Sequence, residues 1–267
     1  MPKSRILSIS NQKGGVGKTT ICFNVGTHLA TTGRRLLLID ADPQGNLTRS
    51  FLEDEPDGGL YEALTNGAFE LIEVMRNLYL LAGSIRLATL ERNLIGEIDA
   101  YTRLREVLEH PSFRDFDLIL MDSPPSLGVL STNCLTAAEA VLVPICAALY
   151  SLQGTNDLMA TIAKVRKNLN PTLSILGVIL NAYDSHPVIF RQIKDEISAT
   201  FGDKLFRTTL SRTVKIEEAI AARSGLVAGT KAAEEIRLIA EELIERLEGM
   251  PASLCAVPDE ANGAEVL

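Results

Sequence analysis

An apolar-rich stretch, Ile6-Leu7-Ser8-Ile9-Ser10, leads into Asn11-Gln12-Lys13-Gly14-Gly15-Val16-Gly17-Lys18-Thr19-Thr20, and an amphipathic segment of helix length follows. No other feature limits the possible folds as much. Gly14, Gly15 and Gly17 lack the Cβ that would stop the backbone curling with its N–H groups pointing inward. The helix that follows adds the positive end of its dipole. A strand, a glycine loop of this kind and a helix together form a phosphate cradle. The candidate nucleotide-binding residues are therefore Gly14, Gly15, Val16, Gly17, Lys18, Thr19 and Thr20. Lys18 is placed for the β- and γ-phosphates and the Thr19 hydroxyl for Mg²⁺, which makes ATP and Mg²⁺ the expected cofactors. Gln12 stands where the usual G-x-x-x-x-G-K-[ST] pattern has its first glycine, and a second lysine, Lys13, lies inside the loop. Two lysines five residues apart exceed what one triphosphate needs from one chain.

The rest of the chain fits the fold such a loop requires. Strand candidates are Ile6–Ser10, Arg35–Asp40, Leu78–Ala82, Asp117–Asp122, Ala140–Ile145, Ile175–Leu180 and Lys204–Thr208. Helix candidates are Lys18–Thr31, Ile98–Leu108, Leu127–Ala137, Leu152–Leu169, Val188–Phe201, Val214–Ala222 and Lys231–Leu247. Runs such as Leu36-Leu37-Leu38-Ile39 and Leu118-Ile119-Leu120-Met121 are continuously apolar, as in strands buried on both faces. The alternation predicts an α/β fold with three layers, a doubly wound, mostly parallel sheet with helices on both faces. Glu53–Gly59 reads as a surface loop. Residues 1–249 are expected to form one domain, and 250–267 a flexible acidic tail.

Carboxylates at the C-terminal ends of buried parallel strands face the ligand crevice. Ile39-Asp40-Ala41-Asp42-Pro43-Gln44-Gly45-Asn46 ends the second strand with two. One can assist the metal and the other can position the attacking water; alternatively, one of them caps the short helix that follows. Asp117-Leu118-Ile119-Leu120-Met121-Asp122 ends another strand in a carboxylate suited to Mg²⁺. Ser123-Pro124-Pro125-Ser126-Leu127-Gly128 then forms a rigid turn, suited to a switch segment beside the γ-phosphate. The metal candidates are Thr19, Asp122 and Asp42; the catalytic ones are Lys13, Lys18 and Asp42. Asn181 closes a strand at the crevice edge, where it could bind adenine or simply form a strand-end turn.

Composition narrows the class. Hydrophobic residues make up 46% and charged residues 22%, which excludes disorder for most of the chain. The absence of Trp argues against an aromatic base-stacking platform. Cys22, Cys134, Cys146 and Cys255 lack metal-ligand spacing and read as reduced thiols. No apolar stretch is long enough to span a membrane, and the few residues before Ile6 are too short for a secretory signal, so a cytoplasmic protein is expected. The net charge of -8 by itself argues against a polyanionic partner. Yet the stretch Tyr183–Lys231 holds eight basic and six acidic residues, which leaves the acid excess to the rest of the chain.

Lys13-Gly14-Gly15-Val16-Gly17-Lys18-Thr19-Thr20 resembles the deviant Walker A box of the ParA/MinD group of P-loop ATPases. Asp40-Ala41-Asp42-Pro43-Gln44-Gly45-Asn46, the Asp122 strand with its Pro-Pro turn and Leu169-Asn170-Pro171 are similar to the ParA/Soj branch, and the resemblance covers roughly residues 5–248. It implies that the extra lysine, Lys13, reaches the partner's nucleotide across an ATP-dependent homodimer, and that Asp42 orients the hydrolytic water. It also implies nonspecific DNA binding, nucleoid association, and a ParB-type activator that stimulates hydrolysis during chromosome or plasmid segregation. Basic positions in the C-terminal third contact DNA in that family; here the best candidates are Arg191, Arg212, Lys215 and Arg223. Ser211-Arg212-Thr213 stands where the family shows P-R-N near adenine, so Thr213 joins the nucleotide candidates. The last residues are acidic and carry no Lys or Arg, unlike a membrane-targeting helix. Only ten residues precede Asn11, too few for a DNA-reading domain. Two other readings stay open: an ATPase that positions a non-DNA cargo, and a biosynthetic P-loop ligase.

Overall fold

The computed structural model describes residues 4–146, 151–182 and 187–250. The tail from residue 251, Cys255, and Tyr183 and Asp184 of the mildly basic stretch lie outside the described residues. In chain order the elements are β1 (Arg5–Ile9), α1 (Lys18–Thr31), β2 (Leu36–Asp40), α2 (Asn46–Arg49), α3 (Leu60–Asn66), β3 (Ile72–Met75), β4 (Leu78–Leu81), α4 (Arg86–Asn93), α5 (Arg103–Leu108), β5 (Leu118–Asp122), α6 (Val129–Ala137), β6 (Ala140–Cys146), α7 (Ser151–Asn168), β7 (Ser174–Ala182), α8 (Pro187–Phe201), β8 (Leu210–Ser211), α9 (Val214–Ala221) and α10 (Lys231–Glu248).

One sheet runs β3-β4-β2-β5-β1-β6-β7-β8, with every neighbour parallel except the β3–β4 hairpin. The continuous apolar runs behave as their pattern requires. Leu37, Ile39, Ile119 and Met121 pack into one core, with α3 to α7. Leu36, Leu38, Leu118 and Leu120 pack into the other, with α1, α9 and α10. Helices therefore cover both faces of the sheet. α1 lies unusually close to it: a Cβ on Gly26 would stand 2.8 Å from a Leu38 methyl. That contact fixes the helix whose first turn follows the glycine loop. β1 lies between β5 and β6: the connection from β1 runs to β2 on one side and that from β5 to β6 on the other, which opens a crevice at the strand ends.

Three sequence expectations need correction. Lys204–Thr208 is not a strand; Gly202–Lys204 is a 3₁₀ turn and the edge strand is Leu210–Ser211. Only Leu205 bridges to Val178, and the Arg207 N–H is drawn off the ladder to the Glu242 carboxylate at 2.9 Å. The helix expected over Ile98–Leu108 begins at Arg103. Ile98 finds no core to join and is fully exposed, and Gly96 takes a left-handed φ of 96° that breaks the approach. β3 has no counterpart among the strand candidates, because a short, half-exposed edge strand has little apolar signal.

Asn170 fastens the C-terminal end of α6. Its amide nitrogen lies 3.1, 3.1 and 2.7 Å from the carbonyls of Leu135, Thr136 and Ala138, at the end of α6. Asn170→Ala should leave buried carbonyls unpaired and lower the unfolding free energy by about 2–3 kcal/mol in urea titration. A change below about 0.5 kcal/mol would show that water replaces the amide at no cost.

Candidate nucleotide and magnesium site

The loop after β1 is pinned before it turns. The Asn11 side chain donates to the Pro144 carbonyl at 2.7 Å and accepts from the Lys13 N–H at 3.0 Å. Gly15 and Gly17 hold φ of 72° and 95°, which L side chains rarely adopt. Gly17 is the N-cap of α1, and no side chain caps it, so the first-turn N–H groups are left for an anion. Asn181 donates to the Val16 carbonyl at 3.1 Å and packs so closely that a Cβ on Gly17 would lie 2.4 Å from its amide nitrogen. The Val16 side chain itself is buried.

These residues wall a cavity of about 400 Å³. Gly14, Gly15, Gly17, Lys18, Thr19, Thr20 and Asp42 line it, together with Asn181, Arg212 and Thr213. Leu210, Ile216 and Ile220 add an apolar wall that the sequence had not marked, since their spacing is that of ordinary core positions. Thr213 is the N-cap of α9 and accepts from the Lys215 N–H.

Thr19 and Asp122 meet directly, the hydroxyl donating to Oδ2 at 2.6 Å. Asp122 Oδ1 is buried and has no hydrogen-bond partner among the described residues. An acceptor-only oxygen left this way, beside a hydroxyl oxygen, fits a hard divalent cation or its bound water. Burial, then the nearby Asp40 carboxylate, push the Asp122 carboxyl well above its usual range. Burial pulls the Lys18 ammonium below the ordinary lysine range, against the attraction of Asp122 and Asp42. Lys18 Nζ donates to the Lys13 carbonyl at 3.2 Å. The residues present therefore fit Mg²⁺ and a polyphosphate.

Asp40 and Asp42 separate in role. Asp40 and Asp122 are register partners on adjacent strands. Asp40 is fully buried and accepts from the Thr48 N–H and hydroxyl, both at 2.8 Å, and from the Asp42 N–H at 3.2 Å. Of the two uses open to the pair, Asp40 takes the one of holding α2. Burial lifts its carboxyl to about 6, and those hydrogen bonds oppose the lift. Asp42 lines the cavity instead, with its Oδ1 accepting from the Gln44 N–H at 2.9 Å.

The family model described as AAA domain matches residues 4–175. The chromosome-partitioning ATPase Soj of Thermus thermophilus is 39% identical over 253 residues, covering 92% of this chain and 98% of that protein. The chain belongs to the Soj/ParA family of AAA-domain ATPases. Among solved structures, cobyrinic acid a,c-diamide synthase from Mycobacterium smegmatis, with bound ATP analogue and magnesium, superposes with TM-score 0.80. It is 31% identical, over 92% of this chain and 96% of that one. A plasmid partition protein from Borrelia burgdorferi bound to AMPPNP has TM-score 0.78 at 26% identity, over 91% of this chain and 100% of that one.

Within this Soj/ParA chain the four DNA candidates do not share one environment. Arg212 reaches the nucleotide cavity. Lys215 pairs with Glu218 at 2.7 Å, and Arg223 with Glu53 at 2.5 Å. Arg191 is exposed on α8. Lys13 is exposed beside Gly14, and its side chain makes no hydrogen bond or ion pair to another described residue. No helix among the described residues is long and apolar enough to cross a membrane. Cys22 and Cys134 are buried free thiols, and Cys146 is buried at the end of β6.

Thr48 was not legible in the sequence, because its partners lie eight and 35 residues away. Its hydroxyl donates to Asp40 and accepts from the Gly83 N–H at 2.9 Å. Thr48→Val should cost about 1–3 kcal/mol of stability by stranding both groups, and Thr48→Ser should recover most of it. Equal unfolding midpoints for the two variants would remove Thr48 from this role.

Proposed function

We propose that this chain is a partition ATPase whose Mg²⁺-dependent ATP cycle drives chromosome or plasmid segregation. The observation that carries the reading is one cavity lined by Lys18, Thr19 and Asp42, with Asp122 buried behind it on the Thr19 hydroxyl and a second lysine, Lys13, exposed next to Gly14 of the lining. Lys18 meets the phosphate oxygens, and the α1 N–H groups hold them by aligned dipoles. Asp42, its carboxylate oriented by the Gln44 N–H, accepts a hydrogen bond from water and aims it in line. Mg²⁺ held by Thr19 and Asp122 supplies positive charge against the phosphate oxygens.

Lys13 then has a use only beyond its own nucleotide, on that of a second copy. Pairing two chains doubles the contacts from Arg191, Arg212, Lys215 and Arg223 to DNA phosphates, and each neutralised phosphate releases counterions. ATP thus switches a weak, sequence-independent grip on the nucleoid. A ParB-type partner stimulates hydrolysis and ends it, and the protein works in the cytoplasm. The synthase structure supports a second reading, a biosynthetic ligase on the same fold. Lys13 and the 39% identity to a partition ATPase over 92% of the chain favour the first.

Lys13→Ala should retain nucleotide binding yet stay monomeric with ATP in light scattering; an unchanged ATP-dependent dimer would end the trans role. Asp42→Ala should trap an ATP-bound dimer that holds random duplex DNA at low salt and lets go steeply as salt rises. A trapped dimer with no DNA affinity would move the cargo away from DNA. ATP turnover that required a small acceptor would favour the ligase.

A further inference from the structure

The turn after Asp122 is anchored at both ends, and the far anchor comes from an element with no part in nucleotide binding. Ser123 donates from its hydroxyl to the Ile9 carbonyl at 3.0 Å, tying the start of residues 123–128 to β1. Pro125 then reaches the cavity and packs over Gly14, 3.9 Å from where a Cβ there would stand. At the other end α6 starts from Gly128, which is extended at φ -85° and ψ -160° and offers no capping side chain. The first turn of α6 contains no acidic residue. Its cap is supplied from outside: Glu91 Oε1, on α4, accepts from the Leu130 N–H at 3.3 Å.

We propose that Glu91 is a positioning residue for ATP hydrolysis, fixing the first turn of α6 and through it the 123–128 segment over the phosphate loop. A carboxylate at a helix N-terminus pairs with an N–H the helix cannot satisfy and with the positive dipole end. The body of α6 does not need it. Asn133 ties the helix to the Ala100 carbonyl at 2.7 Å and to the Leu104 N–H at 3.1 Å, and Asn170 holds its far end. The effect of Glu91 therefore falls on the turn continuous with the Pro-Pro segment. Gly128 is the complementary residue: a Cβ there would stand 2.1 Å from Glu91 Oε1, so any larger residue displaces the carboxylate. The inference rests on the ATPase reading of the cavity.

The test is steady-state hydrolysis by the full chain at saturating Mg²⁺, with thermal unfolding alongside. Glu91→Ala should lower kcat about five- to tenfold, the scale of a lost charged cap, with KM for ATP within about twofold. Glu91→Gln keeps an acceptor oxygen and should recover most of the lost rate. Gly128→Ala should reproduce the loss by pushing the carboxylate aside, and the double variant with Glu91→Ala should lose no more than either single one. An unchanged kcat in Glu91→Ala, a loss confined to KM, or losses that multiply in the double variant would overturn the proposal. Asp42→Ala separates the two levels. If it still hydrolyses ATP, the reading of the cavity fails; if it does not and Glu91→Ala is normal, only the role of Glu91 fails.

Discussion

Two carboxylates, Asp40 and Asp122, meet in register at the ends of adjacent buried strands, and the site depends on how the protein accommodates them. Both are fully buried, and like charges so placed cannot both ionise at ordinary cost. The surroundings divide them. Asp40 takes two hydrogen bonds from Thr48 and one from the Asp42 N–H, and becomes part of the frame. Asp122 receives one from Thr19, and its other oxygen has no hydrogen-bond partner among the described residues. Lys18, stripped of most of its water by burial, is drawn towards Asp122 and Asp42. In the proposed reading, a divalent cation at Asp122 and a polyphosphate at Lys18 would each offset part of that desolvation.

Legibility followed the range of the interactions. The glycine loop, α1 and the continuously apolar strands are set by local sterics and by burial on both faces, and the sequence alone placed them to within a residue or two. The role of Asp40 stayed undecided because its donor Thr48 is meaningful only once α2 folds back onto β2. The edge near β8 was misplaced because Glu242 on α10 competes for the Arg207 N–H, a contact 35 residues long. Glu91 carries no motif at all; its partner, a bare backbone N–H on α6, leaves no trace in side-chain pattern.

Charge shows the same dependence on scale. The total of -8 describes solubility, not any one surface. Lys215 and Arg223, both proposed for DNA, form exposed ion pairs with Glu218 and Glu53. Exposed pairs of this kind are worth about 0–1 kcal/mol, little enough for a row of phosphates to displace. Arg223 also takes a left-handed φ of 50°, at the end of the helix that walls the nucleotide cavity. Arg212, Lys215 and Arg223 thus lie on the same short stretch of chain as Thr213, Ile216 and Ile220 of the cavity wall.

The central claim is that Asp122, completed by Thr19, is where the metal acts. Calorimetric titration of ATP with and without Mg²⁺, for the natural chain and for Asp122→Asn, tests it most directly. The account predicts that Mg²⁺ tightens ATP binding in the natural chain, and that Asp122→Asn abolishes this gain while metal-free ATP binding persists through Lys18 and the loop. An Asp122→Asn protein whose ATP affinity still rises with Mg²⁺ as in the natural chain would contradict it.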